Sequence, residues 1–173
     1  MDRLWSPWRM AYIDGMSDDG HKSGCFLCAA RDAADDRRAL VFMRRPLAFA
    51  VLNRFPYNNG HALIVPNAHK GDLADLTDDE MLALMALARD VMALYGRVLR
   101  ADGYNLGLNF GRIAGAGLPE HLHLHIVPRW SGDTNFMHVF GDVRVIPQSL
   151  ESLYDAMKQA GDELKLPSLA GGE

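Results

Sequence analysis

His121-Leu122-His123-Leu124-His125-Ile126-Val127 alternates imidazole rings with aliphatic side chains. A strand turns successive side chains to opposite faces, so His121, His123 and His125 share one face at intervals of roughly 6.6 Å. Leu122, Leu124 and Ile126 then point the other way, into a core. A row of imidazoles contributes little stability, because each ring needs hydrogen-bond partners and neighbouring rings resist being charged together. A solvent-facing strand that merely uses histidine is the bland alternative. Imidazole is also a nucleophile at neutral pH, a general acid when protonated and a metal ligand when neutral. Just upstream, the glycine-rich segment from Gly111 to Gly117 can bring backbone N–H groups close to phosphate oxygens. A nucleophile between donor imidazoles and loop amides suits phosphoryl chemistry, where positioning and charge stabilisation supply most of the rate.

Working outward, Tyr104 to Phe110 reads as the strand before that loop. Leu40 to Met43 and Leu47 to Asn53 read as a hairpin, and His61 to Pro66 as a third strand. Thr77 and Glu80 form a capping box with Asp78 and Asp79 in the first turn, opening a helix that stops near Asp102-Gly103. Met81, Leu84, Met85, Ala88, Val91, Met92, Tyr95, Val98 and Leu99 recur at helical spacing and mark its buried face, with methionines as core filler. A last amphipathic helix is expected over about 147–164, and a frayed tail beyond Pro167. The order βββαββα with short links predicts an α+β domain: an antiparallel sheet carrying one long and one C-terminal helix. All 173 residues are read as one domain, with an N-terminal segment to residue 36, a core over about 37–140 and the C-terminal helix.

Hydrophobic residues are 49% and charged residues 23% of the chain, the balance of a globular protein. A net charge of −4 offers no broad cationic field, so polymeric nucleic acid is excluded as a partner and any phosphate must be held locally. No apolar run is long enough for a membrane span, and the opening residues MDRLWSPWRMAY lack a secretion-signal pattern, so a cytoplasmic protein is expected. His21 and His138 have no spacing partner and read as surface residues. Cys25 and Cys28 form a C-x-x-C. A disulfide there would close a trivially short loop, which leaves a metal half-site, a redox motif or a free-thiol pair. The redox reading needs a thioredoxin-like βαβ setting, which the element order lacks.

The stretch from His121 to Val127 resembles the signature of the histidine-triad (HIT) family. The resemblance extends to Asn53-Arg54-Phe55-Pro56 and to Gly60-His61-Ala-Leu-Ile-Val-Pro66, and covers residues 25 to 140. It implies a HIT-like fold, a two-fold dimer, and a nucleotidyl-histidine mechanism with His123 as nucleophile. His125 and His61 are implied at the reacting phosphate and leaving group, Asn53 at the ribose hydroxyls and Asn109 at phosphate. In the loop, Gly115-Ala116-Gly117-Leu118-Pro119-Glu120 departs from the family by lacking a Gln or Ser. Phosphate contact there falls to the amides around Gly115 and Gly117, or the pocket is wider. That loop, the N-terminal Leu4-Trp5-Ser-Pro7-Trp8-Arg9-Met10, and Pro128 to Phe136 resemble the bacterial branch that includes diadenosine tetraphosphate phosphorylases. The expected substrates are a dinucleoside polyphosphate and inorganic phosphate. The alternatives are a hydrolase of dinucleoside polyphosphates or nucleoside phosphoramidates, and a nucleotide-sensing binding module. Trp130 is expected either to stack on a base or to serve the core. The resemblance also nominates His69 and His121 to join Cys25 and Cys28 in a structural Zn²⁺ site closed to substrate. Any Mg²⁺ would ride in on the polyphosphate.

Overall fold

The computed structural model describes residues 24–133 and 146–164. Trp5, Trp8, His21, His138, the segment from Thr134 to Phe136 and the tail lie outside the described residues. Five strands form one sheet: β1 (Val41–Arg44), β2 (Ala48–Leu52), β3 (Ala62–Pro66), β4 (Gly103–Leu108) and β5 (Leu124–Arg129). Their spatial order is β1-β2-β3-β5-β4, with every neighbouring pair antiparallel. β2 and β3 are buried along their whole length, as continuous apolar runs covered on both faces must be.

Two short helices that the sequence reading took for irregular chain precede the sheet. α1 (Phe26–Arg31) is capped by the Cys25 sulfur, which accepts the Cys28 N–H, and α2 (Asp36–Ala39) by the Asp35 carboxylate. Both are too short to show periodicity. α3 (Asp78–Val98) begins at the expected capping box, Thr77 with Glu80, and ends a few residues before Asp102. It packs across β2 and β3, and α4 (Leu150–Leu164) packs on α3 and on β1. The core-facing residues of α3 are Leu84, Leu87, Ala88, Val91, Leu94 and Tyr95. Met85, assigned to the core from spacing, is instead 57% exposed beside exposed Leu82. The true stripe is rotated by one position because Leu87 and Leu94 extend it on the other side.

The histidine stretch is also corrected at its start. β5 pairs with β3 only as far back as Leu124, opposite Ile64. From Leu122 the chain is drawn to the segment after β3 instead, its N–H donating to Lys70 O at 2.7 Å. Leu122, Leu124 and Ile126 do enter the core.

Candidate active site

This departure from the ladder separates the three imidazoles. His123 and His125 stay together with ring centroids 5.0 Å apart, whereas His121 turns to His69 at 4.9 Å. His61, just before β3, meets His125 across the β3–β5 pair at 5.1 Å.

Proton positions follow from the fixed donors and acceptors around each ring. His123 Nδ1 lies 2.8 Å from the His121 carbonyl, so it carries the proton and donates it, leaving Nε2 bare. His61 Nδ1 accepts the Tyr57 N–H at 3.0 Å, so neutral His61 is protonated on Nε2. That N–H donates to His125 Nδ1 at 2.9 Å, which places the proton of neutral His125 on its Nε2. Asn109 lies 3.5 Å from that atom through its side-chain amide. Burial pushes His123 below the ordinary histidine range, although its bond to the His121 carbonyl works the other way. Burial and the neighbouring His123 push His125 down to about 4. Both rings are therefore neutral at pH 7: one offers a lone pair and its neighbour an N–H.

They open on a cleft of about 830 Å³. One wall is α1 with Phe26, Leu27, Ala29 and Ala30, another is Val51 to Tyr57, and the third is Gly115, Gly117 and Leu118. Asn53 lines the cleft; its Oδ1 accepts the Phe55 N–H at 2.9 Å and its Nδ2 lies 3.3 Å from His61 Nδ1. Gly115 sits at φ +91°, a conformation that strains other residues, and its N–H donates to Arg112 O. Of the two loop glycines singled out from sequence, Gly117 is thus the one with its N–H left for a ligand.

Two residues are not where the sequence reading put them. His61 is fully buried with both ring nitrogens engaged, so it can reach a substrate only through His125. Trp130 does not line the cleft; its indole N–H donates to Leu99 O at 3.2 Å, the core role.

The second cluster joins Cys25, Cys28, His69 and His121, whose ligand atoms all lie within 4.8 Å of one another. Cys25 Sγ is 3.1 Å and Cys28 Sγ 3.5 Å from His121 Nδ1, and Cys28 Sγ is 3.3 Å from His69 Nδ1. A tetrahedron with bond lengths usual for zinc has edges of roughly 3.3–3.8 Å. His121 Nε2–H donates to Pro66 O at 2.9 Å, the outer bond that frees Nδ1 for a metal. Donor chemistry and spacing fit a closed Cys₂His₂ zinc site. Burial raises the Cys25 thiol pKa, so metal binding there would displace a proton. Among the described residues this is the sole cluster of such ligands.

A sheet that presents a histidine nucleophile and a donor histidine over a nucleotide-sized cleft defines a phosphoryl- or nucleotidyl-transfer fold. The HIT domain profile matches residues 35–132, and the chain belongs to the HIT family. It is 42% identical over 154 residues to the AP-4-A phosphorylase of Mycobacterium tuberculosis, covering 87% of this chain and 79% of that one. It is 34% identical over 126 residues to the asymmetrical bis(5'-nucleosyl)-tetraphosphatase of Schizosaccharomyces pombe, covering 71% and 69%. Among solved structures, a Zn-bound histidine triad family protein from Mycobacterium smegmatis aligns with TM-score 0.66 at 27% identity, over 82% of this chain and 96% of that one. Its relatives thus act on nucleotides, and no described helix is long and apolar enough to cross a membrane.

Sequence reasoning missed Tyr57 and the α1 wall. The available signal was compositional: Phe26, Phe55 and Tyr57 are all large aromatics left about half exposed, and all three line this cleft.

Proposed function

We propose that this protein splits dinucleoside polyphosphates by nucleotidyl transfer, converting diadenosine tetraphosphate and inorganic phosphate to ADP and ATP. The observation that carries the reading is the pair of adjacent Nε2 atoms on the cleft, bare on His123 and protonated on His125. His123 Nε2 attacks the α-phosphorus, forming a P–N bond as the P–O bond to the departing ATP breaks. His125 Nε2–H donates to the leaving oxygen, and His61 holds His125 in that tautomer. Asn53 holds the ribose, while Asn109 and the Gly117 amide meet phosphate oxygens. Phosphate oxygen then attacks the adenylyl-histidine and restores His123, releasing ADP.

A bound zinc ion would brace Cys25, Cys28, His69 and His121, and through His121 the carbonyl that orients His123. Any Mg²⁺ would arrive with the polyphosphate. The reduced cysteine pair suits a cytoplasmic setting. A homodimer is supported by β4, an edge strand whose Leu106 is exposed next to exposed Phe110 and Ile113.

Water in place of phosphate would make the enzyme a hydrolase, the reading favoured by its likeness to the yeast tetraphosphatase. Incubation with diadenosine tetraphosphate, with and without phosphate, separates the two by product chromatography. ADP plus ATP dependent on phosphate supports the phosphorylase. AMP plus ATP regardless of phosphate makes it a hydrolase, and no turnover rejects both.

A further inference from the structure

We infer that Tyr57 is a positioning residue for leaving-group protonation, its ring and backbone together holding the His61–His125 pair in the form that donates from His125 Nε2. The inference rests on the nucleotidyl-transfer reading and adds to it a residue with no imidazole chemistry of its own.

Three contacts converge. The Tyr57 N–H donates to His61 Nδ1 at 3.0 Å, which sets the His61 tautomer and hence that of His125. Its ring lies over the His61 ring with centroids 4.4 Å apart and planes 30° from parallel. The same ring is stacked on His125 at 5.9 Å and 16°. One phenol therefore roofs both members of the pair while remaining 50% exposed on the cleft side. A water reaching His61 Nδ1 or His125 Nδ1 could supply or accept a proton there and scramble the tautomers. The ring occupies that approach.

The backbone beneath Tyr57 is held from several sides, so the roof is built and not incidental. His61 N–H closes the turn on Asn58 O at 3.1 Å. Asn58 Nδ2 donates to Pro128 O at 3.3 Å and Asp133 Oδ2 at 3.0 Å, tying the turn to the far end of β5. Tyr95, fully buried in α3, donates its hydroxyl to Gly60 O at 2.5 Å. Gly60 itself sits at φ +76°, where a Cβ would stand 2.5 Å from Leu99 Cδ1. A clamped turn carrying a half-exposed tyrosine is the arrangement expected when the ring has a fixed task.

The chemistry supplies a test that a general structural role would not pass. Expelling a nucleotide phosphate oxygen benefits from a proton, whereas 4-nitrophenolate leaves without one. Tyr57→Ala and Tyr57→Phe are assayed with diadenosine tetraphosphate and with the 4-nitrophenyl ester of AMP, with thermal melts run alongside. For Tyr57→Ala, kcat on the tetraphosphate is expected to fall roughly tenfold to a hundredfold with little change in KM. On the aryl ester it should fall by less than about twofold, since no general acid is needed there. Tyr57→Phe keeps the ring and should recover the tetraphosphate rate. Equal loss on both substrates would make Tyr57 merely structural and overturn the inference. A higher KM with intact kcat would make it a base platform and also overturn it. Failure of the underlying reading registers separately, in wild-type enzyme that cleaves the aryl ester and no dinucleoside polyphosphate. The comparison is then run with a nucleoside phosphoramidate, whose amine leaving group also needs a proton, and the same outcomes decide.

Discussion

His121 and His123 stand two residues apart in the same stretch, yet the structure gives them opposite chemistry. Each ring donates one N–H to a backbone carbonyl. His121 donates from Nε2 to Pro66 and so turns Nδ1 to the two sulfurs. His123 donates from Nδ1 to His121 and so turns Nε2 to the cleft. Which nitrogen is capped decides between metal ligand and nucleophile. The two centres are also joined, because the carbonyl that orients the nucleophile belongs to a residue of the metal cluster.

The hardest test of this division is His123→Ala. It is expected to lower turnover by on the order of 10⁴-fold or more, as loss of a nucleophile does, and to abolish adenylyl labelling of the protein while zinc content stays at the wild-type value. Cys28→Ser strikes the other centre. Elemental analysis should register loss of bound zinc, and the thermal midpoint should fall by roughly 10 °C or more, because binding energy at a structural zinc site is folding energy. If Cys28→Ser leaves both unchanged, the cluster is a thiol pair beside histidines and the comparison fails. A smaller effect is expected at the ribose end: Asn53→Ala should raise KM roughly tenfold, close to the value of one hydrogen bond to a ligand. An unchanged KM would remove Asn53 from the binding surface.

The smallest expected effect is on stability against pH. His125 is held near 4 in the folded protein against an ordinary value of 6.5, so the unfolded chain takes up the proton first as pH falls. Its contribution to stability is complete above 6.5 and is lost progressively between 6.5 and about 4. Denaturant midpoints at about pH 7.5 and about pH 5 should therefore differ more in wild type than in His125→Asn. Equal differences would mean that the imidazole pair does not carry the acid sensitivity.

Much of the fold was legible because it rests on local chemistry. Thr77 and Glu80 announced the long helix, and alternation along residues 121–127 announced a strand with Leu122, Leu124 and Ile126 inward. The metal set was legible once Cys25 and Cys28 were paired with His69 and His121 through family resemblance. Other features were not local. α1 is held by a sulfur cap and by the sheet it covers, and a six-residue helix carries no periodic signal. Met85 has core-like spacing, but no other described element covers that face of α3. His61 looked like a direct participant, and only the close approach of Tyr57 and His125 shows that both of its nitrogens are engaged.

The amino-acid sequence by itself determined which groups are available: three alternating imidazoles, a glycine-rich loop, a cysteine pair, and an apolar pattern that builds an antiparallel sheet under two helices. Side-chain type and spacing are written in the chain, and periodicity converts them into faces. Tertiary structure alone decided what each imidazole does. A ring's tautomer depends on which acceptor lies against it, and those acceptors come from places the sequence does not mark. Pro66 O lies 55 residues from His121, and His61 lies 64 residues from His125.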